Sequence, residues 1–193
     1  HAGMMEELLD IHVDFVRHYL EKDEMTGAQR HTRIILQAQI PPAVKNKLIH
    51  KVFEPTKQAV PALLDKGEQD SACKILQRFL SLFGDHLEAL RLYADVSARM
   101  MEQMSFLEDW DRITALADRV KPCIKRLAEH PDLPSDILAR TALTDLGKAI
   151  CLRCNDRFNN LLSRNRNAPP DVDDRENAQD ALNIGLEWCA LTE

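Results

Sequence analysis

Two cysteines three residues apart, in Cys151-Leu-Arg-Cys154, are the side chains of this chain best spaced to do chemistry. On a helix that spacing puts both thiols on one side, where they could ligate a soft metal or form a redox pair. A second pair at matching spacing is missing, so core packing of Cys151 and Cys154 is the simpler reading. The seven histidines, His1, His12, His18, His31, His50, His86 and His130, contain no H-E-x-x-H, no E-x-x-H and no His-Asp doublet. They read as structural or solvent-facing. An acidic cluster, Asp171, Asp173, Asp174 and Glu176, could chelate Mg²⁺, but no partner motif accompanies it and a helix cap already accounts for Asp173 and Glu176.

Arginine is densest at Arg153, Arg157, Arg164 and Arg166. The first two lie one helical turn apart, and such a patch could hold a phosphate, an acidic peptide or single-stranded nucleic acid. Interleaved aromatics are nearly absent, which weakens the nucleic-acid reading. A looser basic group, Arg119, Lys121, Lys125 and Arg126, straddles Pro122. Arg91 and Arg99 flank Asp95 at four residues on either side, which suits internal pairing. Met100, Met101 and Met104 gather at one helix end, where flexible thioethers would adapt to a partner helix or fill a core.

The phosphate-binding patterns G-x-x-x-x-G-K and G-x-G-x-x-G are absent, as is G-x-S-x-G. The expectation is therefore a chain with no catalytic residue, no resident metal and no cofactor. A net charge of -6 with 29% charged residues argues against attraction to duplex DNA at large. Five cysteines, an odd number scattered through apolar stretches, suggest reduced thiols in a cytoplasmic protein. No apolar run is long enough to span a bilayer. The opening His1-Ala2-Gly3 reads as a tag remnant.

The elements that would position these residues are all helices. Six glycines in 193 residues and 5% aromatics starve strands, while Leu, Ala, Glu, Arg and Asp favour helix. Four capping-box patterns, beginning at Thr26, Asp85, Ser105 and Asp173, mark expected helix starts. Periodicity predicts a first helix from Met4 to Lys22, with Met5, Leu8, Leu9, Phe15 and Val16 on one stripe. A second runs from Thr26 to Gln39. A third begins at Pro41-Pro42, with Pro55 and Pro61 breaking or bending the segment as far as Lys66, and Gly67 is a natural C-cap. Further helices cover residues 68–83 and 87–104, and another follows the Ser105 cap with Phe106, Trp110, Ile113, Leu116, Ala117 and Val120 inward and a kink at Pro122. The longest runs from Pro134 to Ser163, with Ile137 and Leu138 inward, and a final helix carries Leu186, Trp188 and Cys189. Residues 164–171 lack apolar periodicity and read as a mobile loop. The expected architecture is one all-α domain over residues 4–193, with eight or nine helices in an antiparallel bundle or a short α-solenoid.

Within this pattern, Gly67, Ala72, Leu90 and Ala94 carry a resemblance to the junction between two tetratricopeptide repeats, over residues 67–94. In that family a glycine precedes a small residue at the helix crossing, and the next helix pairs a large apolar residue with a small one four further on. No second copy is visible one repeat length away. The resemblance implies a helical repeat that presents a surface to another protein.

The function expected from these residues is a non-catalytic interaction or scaffold module that binds a peptide or helix of another protein. The arginines and the methionine cluster are its candidate contact residues, and a second copy of the chain is one candidate partner. Two other classes remain in view: a helical regulatory domain responsive to a small molecule or metal, and a nucleic-acid-associated protein using the arginine patch.

Overall fold

The computed structural model describes residues 2–163 and 172–192, with side chains described from Met5 onward. Among them the chain forms eight α-helices and no strand, which makes it all-α as its composition requires. They fall into two compact units, His1–Ala89 and Leu90–Glu193. The boundary lies inside a helix, so no glycine- or serine-rich linker announces it in the sequence. The segment 164–171, expected to be a mobile loop, lies outside the described residues, as do Arg164, Arg166 and Asp171.

The first unit contains α1 (Ala2–Glu21), α2 (Met25–Gln37), α3 (Pro42–Asp65) and α4 (Gln69–Leu82). α1 packs on both α2 and α3, and α3 packs on α4. The two turns that close α1 onto α2 and α3 onto α4 are the same turn. Asp23 (φ 61°) and Gly67 (φ 75°) take the left-handed conformation just past the helix ends. Each turn then satisfies two terminal carbonyls: Asp23 and Glu24 donate to Leu20 and Tyr19, and Gly67 and Glu68 donate to Leu64 and Leu63. That is a Schellman arrangement, which satisfies the orphan carbonyls of one helix while reversing the chain. Glu24 and Glu68 then cap the next helices through their backbone carbonyls, accepting from Ala28 and Ala72 at 3.2 and 3.1 Å.

The copies continue into the core at a constant offset. Leu9 and Phe53, Val16 and Val60, Ala28 and Ala72, and Ile35 and Phe79 are all buried. Changing Gly67 to alanine forces a Cβ into the left-handed region and is expected to cost about 1–2 kcal/mol of stability. Urea denaturation of the variant measures it, and a neutral result would mean that the turn relaxes to another conformation.

α3 departs from expectation. It runs unbroken from Pro42 to Asp65 through Pro55 and Pro61. Each interior proline leaves the carbonyl four residues earlier without its helical donor. Burial of Leu48, Val52, Phe53 and Val60 holds the helix together regardless. Ion pairs along its flank tie it to α1: Lys47 to Glu6 at 2.9 Å, and Lys51 to Asp10 at 2.6 Å.

α5 (Leu87–Gln103) carries the chain into the second unit, which continues with α6 (Trp110–Ala128), a short 3-10 turn (Leu133–Ser135), α7 (Ile137–Ser163) and α8 (Val172–Thr192). α7 and α8 form the most extensive helix pair among the described residues. Asp136 caps α7, its carboxylate accepting from the Ala139 N–H at 2.9 Å. Glycines allow the two helices close approach. A Cβ on Gly147 would collide with the Thr192 side chain, and one on Gly185 would stand 3.1 Å from the Cys154 Cβ.

The four expected caps are displaced. α2 starts after Glu24 rather than at Thr26, because the Schellman turn fixes where the helix can begin. α5 starts beyond Asp85, and His86 Nδ1 accepts from the Ala89 N–H at 3.3 Å. Ser105 opens a turn instead: its N–H donates to Asp109 at 3.0 Å, and α6 begins at Trp110. Asp173 lies inside the first turn of α8, not before it.

Candidate functional site

α1 divides its apolar residues between two faces. Leu9, Val13 and Val16 are buried. Met5, Leu8, Ile11 and Phe15, one flank further round the helix, are 49, 52, 52 and 44% exposed. Spaced at three and four residues, these four form a continuous apolar ridge along almost three turns. The periodicity alone placed Met5, Leu8 and Phe15 with the core. The structure turns them to solvent, because α2 and α3 cover only the neighbouring part of a wide stripe.

α2 extends the surface. His31 stacks on Phe15 (ring centroids 4.6 Å apart) and Tyr19 (5.6 Å). Ile34, one turn further along α2, is 40% exposed. Tyr19 lies flat over Gly27, where a Cβ would meet its ring at 2.6 Å, so the glycine lets α1 and α2 close together here. Exposed Glu7 and Asp14 border the ridge on α1, and exposed Arg30 and Arg33 border it on α2. The result is an apolar strip with an acidic rim and a basic rim.

A histidine pair sits in this strip. His12 Nδ1 and His31 Nδ1 lie 2.8 Å apart, so one donates a hydrogen bond to the other. That bond requires at least one neutral ring. Burial, then the neighbouring His12 and Arg30, hold the His31 pKa below its ordinary value. The folded chain thus binds fewer protons at this site than the unfolded chain does, and stability is lost as the pH falls below about 6.5. The free energy of unfolding should fall between pH 7 and pH 5, with a shallower decline in His31→Phe, which keeps the stacking and cannot titrate. Urea titrations at the two pH values check this, and equal slopes for both proteins would contradict it.

The residues singled out in the sequence are placed elsewhere, and mostly in structural roles. Met100, Met101 and Met104 are buried, which corrects the expectation of a methionine-lined partner groove: thioethers with almost no exposed surface are core. Arg153 is engaged inside the second unit. Its guanidinium donates to the Met101 and Glu102 carbonyls at 3.2 and 2.7 Å, capping the end of α5, and pairs with Asp156 at 3.5 Å. Arg157 lies over the Trp110 ring, 5.6 Å from its centroid. The two arginines therefore do not form an open basic face. Arg91 pairs with Asp95 at 3.2 Å as its spacing predicts, while burial pushes the Asp95 pKa up.

Cys154 is buried, and the partner of Cys151 is Cys189 on α8, with the sulfurs 2.9 Å apart. Sequence reading missed this pair because only the α7–α8 packing brings the two together. Asp173 is exposed in the first turn of α8, where its charge suits the helix dipole. Among the described residues no group of three or more His, Cys, Asp or Glu has the geometry to hold a metal. None of the described helices is long and apolar enough to cross a membrane. Ile137 and Leu138, expected inward, are exposed at the start of α7.

One cleft opens in the first unit between α1, α3 and α4. Leu20, Val52, Pro55 and Ile75 line it, with Arg17 and Arg78 at its edge. Its volume of about 130 Å³ is small beside the roughly 300–1,000 Å³ usual for small-molecule sites. Arg78 is held by Asp23 at 2.6 Å.

The fold and the α1–α2 strip define an all-helical chain with an uncovered apolar surface on its first hairpin. No family model, curated protein or solved structure matches it.

Proposed function

We propose that the chain is a non-catalytic helical interaction module of the cytoplasm, and that the α1–α2 strip receives an amphipathic helix of another protein. The observation that carries this reading is the exposed ridge Met5, Leu8, Ile11 and Phe15. Four large apolar side chains in one continuous row gain by being covered, at about 25 cal/mol for each Å² of apolar surface removed from water. Helical spacing on both sides suits a helix-in-groove contact, with anchors at three- and four-residue intervals. The flanking charges would orient the incoming helix, acidic residues toward Arg30 and Arg33 and basic residues toward Glu7 and Asp14.

The doubled hairpin of α1–α2 and α3–α4 supports the helical-repeat part of the reading. In such arrays each hairpin buries its apolar face against the next, and the end hairpin normally turns a polar face outward, so an apolar flank left on the first hairpin calls for a covering partner. The small-molecule reading gains little from a narrow cleft, and the nucleic-acid reading little from arginines bound to carbonyls and an indole.

Capture from native lysate by the wild-type chain and by a Leu8→Glu/Phe15→Glu variant tests the proposal. Leu8 and Phe15 are 52 and 44% exposed, and Phe15→Glu also gives up the stack on His31, so urea denaturation of the variant accompanies the capture to show that its fold is retained. A retained protein that the variant loses at least tenfold is the expected result. Equal retention by both chains would remove the strip from the interface.

A further inference from the structure

α7 and α8 hold a pair of thiols that the proposed interaction does not use. Cys151 Sγ and Cys189 Sγ are 2.9 Å apart, within about 1 Å of a disulfide bond length. Cys151 also donates to the Gly185 carbonyl at 3.3 Å, which fixes its rotamer toward α8. Gly185 makes the approach possible, since it brings the α8 backbone against Cys154 and leaves no side chain between the helices. Cys151 and Cys189 are part-exposed, whereas Cys154, Cys73 and Cys123 are buried. A reagent in solution therefore reaches the 151–189 pair and not the nearer neighbour in sequence.

We propose that Cys151 and Cys189 form a reversible disulfide that staples α7 to α8 when the chain meets a small-molecule disulfide such as oxidised glutathione. The Cys189 thiolate attacks one sulfur of the reagent, forming a mixed disulfide and releasing one glutathione thiolate. Cys151 Sγ then attacks the Cys189 sulfur, the Cys151–Cys189 bond forms, and a second glutathione leaves with the proton from Cys151. Two protein thiols are oxidised and one glutathione disulfide is reduced to two thiols.

The surroundings set the rate. Burial, then the Cys189 thiol, push the Cys151 pKa up to about 12, and burial pushes Cys154 up to about 11. Exchange is slow at neutral pH and quickens as the pH rises. A reductant that attacks the Cys189 sulfur must expel Cys151, a thiol that ionises reluctantly and so leaves slowly. It closes the α7–α8 connection into a loop and restricts the unfolded chain.

The test uses the purified full chain incubated with oxidised glutathione at pH 8, alkylated, and digested with trypsin without reduction. Cleavage after Arg153 separates Cys151 from Cys154, so the map reads the pairing directly. The expected product links residues 149–153 to 176–193, and its melting temperature rises by on the order of 5–10 °C. Cys154→Ala should give the same product, and Cys189→Ala none. A link from 154–157 instead, a link that forms only in denaturant, or an unchanged melting temperature after complete linkage would each overturn the proposal. The wild-type map decides even if a variant fails to fold.

Discussion

Phe79→Ala is expected to lower the free energy of unfolding by about 3–5 kcal/mol. Phe79 has no exposed surface and stands in the middle of an aromatic cluster. Phe53 lies 4.7 Å from it, Phe83 5.0 Å and the His86 ring 5.3 Å, centroid to centroid. Those neighbours come from α3 and from the turn after α4, so the ring joins three successive segments of the first unit. Its removal loses the transfer energy of a phenyl group and leaves a cavity that rigid neighbouring rings cannot fill. Set against the roughly 5–15 kcal/mol that stabilises an ordinary domain, this is a large fraction of the whole. Urea denaturation followed by far-ultraviolet circular dichroism measures it. A loss below about 1 kcal/mol, the size of an ordinary point substitution, would mean that the aromatic cluster is not the closed core of the unit.

Trp188→Ala should cost the second unit a similar amount, again about 3–5 kcal/mol. The buried stripe of α8 consists of Ala178, Ala181, Gly185 and Trp188. Three of the four are small because α7 approaches closely, and Trp188, 1% exposed, is the one large side chain of that stripe. Without it the helix keeps its close contacts and loses its anchor. Circular dichroism should show loss of the α8 helix at lower urea than the wild type requires. Survival of wild-type stability would show that the small-residue contacts suffice by themselves.

The helices were legible in the sequence because their cores repeat at helical spacing, and the C-cap at Gly67 because a left-handed turn needs such a residue. Asp23 hid the first copy of that turn: an aspartate in the same conformation does not advertise it, and the repeat became visible only when the two backbone geometries were set side by side. The capping boxes misled because they register side chains, whereas Glu24 and Glu68 cap through their carbonyls. α3 shows packing overriding local preference at Pro55 and Pro61.

The candidate site was half visible. Met5, Leu8 and Phe15 were recognised as one apolar stripe with Leu9 and Val16, but periodicity gives a direction and not a boundary. Which flank is covered depends on where α2 and α3 come to rest. The arginines misled for the opposite reason: their spacing marked a face, and the carbonyls of Met101 and Glu102 that absorb Arg153 come from a distant segment. Cys151 was noticed, yet its partner Cys189 lies on the other side of a helix reversal and no local spacing could have supplied it.

Hydroxyl-radical footprinting of the chain, alone and bound to its captured partner, tests the central claim most directly. Met5 and Phe15 are exposed and reactive, whereas Met100, Met101 and Met104 are buried and serve as internal references. The α1–α2 strip predicts that labelling of Met5 and Phe15 falls several-fold on binding while the reference methionines stay unchanged. Undiminished labelling of Met5 and Phe15 in the complex, with protection confined to residues of α7 or α8, would contradict it.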